Sequence, residues 1–112
     1  MIPAMLTQRY DRLQELETAK KLLATIQATK TDAEAETQFL SEKINALQSE
    51  LNSAEAEAQK LIDLLDFDMP AKVYAGIRYQ CGYSWAEIAD MLKVTEDAVK
   101  SRVYRCFAKL AL

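Results

Sequence analysis

The stretch GYSWAEIADMLKVTEDAVKSRVYRCFAKL, residues 82–110, decides how the chain is read. Ser84, followed three residues later by Glu87, has the form of a capping box: the hydroxyl accepts an orphan N–H at the helix start and the carboxylate reaches back to the cap's own amide. A short helix is therefore expected from Trp85 to about Leu92. Trp85, Ile88, Ala89 and Leu92 recur at three- and four-residue spacing, as on one face of a helix lying on a small core. After Lys93 and Val94, Thr95 can cap a second helix whose first turn carries Glu96 and Asp97, acids favoured at the positive end of the helix dipole. In that helix Val99, Val103, Cys106 and Leu110 form an inward stripe. Lys100, Ser101, Arg102, Tyr104, Arg105 and Lys109 are left facing outward.

Two helices joined by so short a turn, with the small Ala89 where they cross, form a helix-turn-helix, a unit that presents the start of its second helix to the major groove of DNA. Lys100, Arg102, Arg105 and Lys109 suit phosphates, whereas Glu96, Asp97, Lys100 and Ser101, in the first turns, are better placed for base edges; Tyr104 shares the outward face. A small three-helix domain with a merely solvated basic face shows the same spacing, so the pattern alone leaves both readings open.

The residues Trp85-Ala86-Glu87-Ile88-Ala89, then Leu92-Lys93-Val94-Thr95, then Ala98 to Arg105 resemble region 4 of sigma-70-type transcription factors. Taken with a preceding coiled coil, they look like small phage-encoded regulators of that type. The resemblance implies double-stranded DNA as partner, a role in transcription regulation and RNA polymerase as a second partner. No cofactor and no small-molecule substrate are expected. Relatives usually hold Gly where Lys93 stands, so Lys93 is expected in a left-handed backbone conformation, at a cost of about 1 kcal/mol. Nothing matches region 2, the part of a sigma factor that grips core polymerase. Two alternatives share the pattern: a DNA-packaging subunit of the small-terminase kind, which also joins such heads to helical stems, and an adaptor that captures polymerase or an anti-sigma protein.

The net charge of −3 hides an asymmetry. Residues 1–69 hold seven basic and thirteen acidic side chains, net −6; residues 70–112 hold seven basic and four acidic, net +3. Positive charge is concentrated where a groove-reading unit needs it. It is also small, so a single copy neutralises few phosphates and several copies acting together are expected.

Two Gly and two Pro among abundant Ala, Leu, Glu, Lys and Gln make the chain all-α by composition. There is no membrane-length apolar run and no signal-like start, which points to a cytoplasmic protein. Without any His, Cys81 and Cys106 are too few for a zinc site, and in a cytosolic setting both are expected as small buried residues rather than a disulfide. No nucleophile motif, phosphate loop or convergent acid–base pair is present, so no catalytic residue is assigned and the chain is not expected to be an enzyme.

Met1 to Met5 reads as a short frayed lead. From Leu6 to Leu65 the chain contains no Gly or Pro, and its apolar residues recur in heptads. With Leu16 at an a position, the a series is Leu16, Leu23, Lys30, Thr37, Ile44, Leu51, Ala58 and Leu65, and the d series Ala19, Ile26, Ala33, Leu40, Leu47, Ala54 and Leu61. Only Lys30 and Thr37 break the apolar seam, which marks a coiled coil. Leu16, Leu23, Ile26, Leu40, Ile44, Leu47, Leu51 and Leu61 are its expected oligomerisation residues, and a homodimer is the simplest assembly. The seam weakens at Ala28 to Asp32, where Thr31 and Glu34 could form a second capping box. Two organisations fit: one continuous helix of about 50–60 residues, about 75–90 Å long, or an antiparallel hairpin. The unbroken register favours the continuous helix.

A boundary is expected at Asp66 to Pro70, where Asp68 can cap and Pro70 can occupy the first turn of a new helix. Residues 1–66 are then a coiled-coil oligomerisation stalk and 67–112 a helix-turn-helix domain, with Leu65 and Phe67 anchoring one to the other. The helix at about Ala71–Gln80, ended by Gly82, is expected to turn Val73, Tyr74, Ile77 and Cys81 inward and Lys72 and Arg78 outward. Tyr79, Tyr83 and Trp85 read as core closure in preference to a base-stacking platform.

Overall fold

The computed structural model describes residues 2–29 and 33–110. Five helices follow one another: α1 (Ala4–Thr29), α2 (Glu34–Asp63), α3 (Met69–Cys81), α4 (Trp85–Leu92) and α5 (Glu96–Lys109), with no strand among the described residues.

The first two helices correct the continuous rod. They pack on each other as a helical hairpin, and the molecule measures 53 × 30 × 17 Å along its principal axes. The heptad seam closes within one chain: Leu16 of α1 is buried against Leu47 and Leu51 of α2, with Leu13 and Ile44 packed alongside. Closing the seam on itself costs one loop, whereas a straight helix of this pattern leaves its apolar stripe in water. Leu23, Ile26 and Leu40, nearer the tip, are half-buried. Lys30, Thr31 and Asp32, and with them the expected Thr31 capping box, lie outside the described residues; α2 begins after Ala33 without a side-chain cap bond.

At its open end the hairpin merges with the head. One continuous core contains Leu6 of α1, Ala58 and Ile62 of α2, Leu65, Ala71, Ala75 and Tyr79 of α3, and the inward residues of α4 and α5; Leu61 packs against it. Residues 2–5 are therefore no frayed lead, since Ile2 and Met5 pack on this core and Leu6 is fully buried. Arg9 locks the joint. Its buried guanidinium donates from Nε to the Tyr79 carbonyl and from Nη1 to the Leu51 carbonyl, both at 2.8 Å. The first of these satisfies an orphan carbonyl at the end of α3.

Because α1 covers α3, the face of α3 is rotated from the one expected. Ala71, Ala75 and Tyr79 are buried, the two alanines letting the helices approach, while Val73 and Cys81 are exposed. Tyr74 and Ile77 are half-buried, and Arg78 is not outside: its guanidinium lies 3.7 Å from the centre of the Tyr10 ring and 4.2 Å from that of Trp85. Phe67 is exposed and does not anchor the hairpin, whereas Leu65 is fully buried in the shared core. Cys81 and Cys106 are both free thiols, and only Cys106 is buried.

Candidate nucleic-acid interface

Each helix of the head starts on a side-chain cap, and α3 and α4 end on left-handed residues. Asp68 accepts from the Ala71 amide at 3.2 Å to start α3, and Gly82, at φ 81°, ends it. Gly82 meets two requirements at once, because a Cβ there would lie 3.2 Å from Leu13 Cβ on α1 as well as straining the backbone. Gln14 closes the same corner by donating to the Gly82 carbonyl at 2.6 Å. The Ser84–Glu87 capping box is formed in both directions, at 3.0 and 3.1 Å, and the donation from Ser84 holds the Glu87 carboxyl below its ordinary range.

The turn between α4 and α5 is as tight as a helix-turn-helix requires. Lys93 takes the left-handed conformation, φ 57° and ψ 45°, and the Val94 amide returns to the Ala89 carbonyl at 3.0 Å. Thr95 Oγ1 accepts from the Ala98 amide at 3.2 Å and launches α5. Trp85, Ile88 and Ala89 of α4 are buried against Val99, Val103 and Cys106 of α5. Two details differ from expectation: Leu92 is exposed, and Phe107, absent from the expected stripe, is buried. Phe107 follows Val99 and Val103 by one more helical turn of four, a signal present in the spacing. Of the aromatic trio, Tyr79 and Trp85 are buried and stacked edge to face with centroids 6.2 Å apart, while Tyr83 is exposed. Burial pushes the Tyr79 hydroxyl up to about 12.

All eight residues expected at the interface, Glu96, Asp97, Lys100, Ser101, Arg102, Tyr104, Arg105 and Lys109, lie on the exposed side of α5. They do not share one environment. Tyr104 leans its ring edge against Trp85, centroids 6.3 Å apart, and carries the Lys100 ammonium 5.7 Å above its face. Arg105 Nε folds back on the Ser101 carbonyl at 3.3 Å. Arg102 donates from Nε to both oxygens of Asp68, at 3.0 and 3.1 Å. Arg102, Arg105 and Lys109, with Asp68 and Cys106, line a cleft of about 220 Å³ at the C-terminal half of the helix. Asp68 is the residue that sequence reasoning assigns only as a cap. Its second contact links positions 34 residues apart and has no local signature.

The fold of α3 to α5 thus defines a three-helix head with an exposed, predominantly basic second helix in its helix-turn-helix. Residues 77–110 match the family model described as Sigma-70, region 4, a match that takes in the end of α3 and all of α4 and α5. No curated protein and no solved structure shows significant similarity to the chain. No helix among the described residues is long and apolar enough to cross a membrane.

Proposed function

We propose that this chain is a sequence-specific, DNA-binding transcription regulator whose α5 enters the major groove of a duplex, with Glu96, Asp97, Lys100 and Ser101 toward base edges and Arg102, Arg105 and Lys109 toward phosphates. One observation carries the reading: within the segment that matches region 4, a single helix buries Val99, Val103, Cys106 and Phe107 and turns its cations to solvent. Two copies acting together belong to the proposal, because a head of net +3 grips DNA weakly alone and a second copy raises the effective concentration. With the heptad seam closed inside each chain, one apolar surface left for pairing is the hairpin's distal end, where Leu22 is 51% and Phe39 64% exposed beside half-buried Ile26 and Leu40.

Replacing Lys100 or Arg105 with Ala is expected to weaken binding to duplex DNA at unchanged helical content, with the logarithmic salt slope smaller by about one for each phosphate that the variant no longer neutralises. Unchanged affinity in both variants overturns the reading. A second reading, capture of RNA polymerase by the head, is favoured by exposed Met91, Leu92 and Val94 around the inter-helix turn. Binding to polymerase without salt-dependent binding to random duplex distinguishes it.

A further inference from the structure

We infer that Asp68 is a positioning residue for DNA binding: it braces Arg102 so that the outer edge of the guanidinium is aimed, ready-formed, at a backbone phosphate. The inference rests on the DNA-binding reading above and concerns a residue outside the matched segment 77–110.

The geometry of the contact distinguishes a brace from a competitor. Asp68 engages Arg102 through Nε alone, bridging it with both carboxylate oxygens. No hydrogen bond among the described residues uses the Nη groups of Arg102. A guanidinium held from its inner side keeps its two outer N–H groups parallel and unspent, the fork that matches two oxygens of one phosphate. A carboxylate competing for the phosphate site would take that fork itself.

Asp68 is in turn held. It is fixed by the Ala71 amide as the cap of α3 and accepts from the Cys106 thiol at 3.4 Å. Its side chain is only 20% exposed, against 44% for Arg102, so the brace is the immobile partner and the arginine the one with freedom to lose. Arg102 shares its cleft with Arg105 and Lys109, which offset the repulsion between Asp68 and an arriving phosphate. Without the brace, Arg102 has to be ordered at the moment of binding, a cost that preorganisation removes.

The test is a double-mutant cycle on the full chain with a fluorescent random-sequence duplex at fixed salt. Asp68→Ser keeps a capping hydroxyl for α3 but is too short to reach Arg102; Arg102→Ala removes the braced group. Each single change is expected to lower affinity by about threefold to tenfold, the range for one charge-assisted contact at a partly exposed site. The double change is expected to cost no more than Arg102→Ala alone. Asp68→Asn, which retains the cap and an acceptor for Nε, is expected to recover part of the loss. An Asp68→Ser chain that binds as tightly as wild type, or more tightly, overturns the inference, as does an effect of the same size in the Arg102→Ala background. In both cases wild-type binding and its sensitivity to Lys100→Ala stand. A wild-type chain without salt-dependent duplex binding removes the underlying reading and the inference together.

Discussion

The head and the hairpin are built from the same material, amphipathic helices without strands, yet they are specified in different ways. In the head all three starts and two of the three ends are written locally: Asp68, Ser84 with Glu87, and Thr95 start helices, and Gly82 and Lys93 stop α3 and α4 in left-handed conformations. In the hairpin the start of α2 has no side-chain cap bond, and what organises the pair is chiefly the apolar seam, with Arg9 and Arg12 reaching Leu51 and Glu50 across it. Caps fix where a helix begins whatever surrounds it. A heptad seam fixes only that some partner must cover it, and a partner in the same chain serves as well as one in another.

The sharpest way to break this comparison is at the seam. Leu47→Asp places a carboxylate among Leu16, Leu51 and Ile44 and is expected to cost about 4 kcal/mol, from poorer packing and burial of an unpaired charge. Urea denaturation measures the loss. Phe39→Asp at the exposed distal end is expected to leave the denaturation midpoint nearly unchanged while lowering the mass seen by light scattering. A Leu47→Asp chain that keeps its stability and only changes mass puts the seam between copies instead.

Next in size is the joint between the two regions. Arg9→Ala strands the Tyr79 carbonyl, removes a second bond from the Leu51 carbonyl and opens space beside Leu51, a loss of about 3 kcal/mol that leaves the hairpin and the head both weakened. A single, less stable, cooperative transition is expected in thermal melts followed by circular dichroism. Two separated transitions would mean that the regions fold independently of Arg9.

The smallest expected effect is a gain. Lys93 holds φ 57°, and Lys93→Gly relieves that strain for about 0.5–1 kcal/mol of added stability. The midpoint of thermal unfolding should rise by a few degrees. A fall would show that the Lys93 side chain supports the turn.

These contrasts explain what is legible in the sequence. The three helices of the head, their caps and the outward set on α5 follow from spacing and turn chemistry within a few residues, and the left-handed Lys93 follows from a resemblance that expects Gly there. The hairpin is present only as the disfavoured of two organisations, because an unbroken register suits a straight helix and carries no mark of where the chain turns back. The inward face of α3 is misread for a related reason: Val73 and Cys81 look like core until α1 arrives to bury Ala71, Ala75 and Tyr79 instead. Arg78 reads as a surface cation and Arg9 carries no signal of its own, and each is withdrawn from water, Arg78 by the rings of Tyr10 and Trp85 and Arg9 by carbonyls far along the chain. The Asp68–Arg102 pair belongs with these.

The single core that runs from Leu6 through Ile62 to Phe107 makes the head a poor candidate for cut-and-paste. Severed after residue 66, it would leave behind Leu6, Ala58, Ile62 and Leu65 and meet water along the surface those side chains had sealed. A change in the hairpin that reaches this core is therefore expected to be felt by α5 as well, since Leu6, Ile62 and Phe107 belong to one packed cluster.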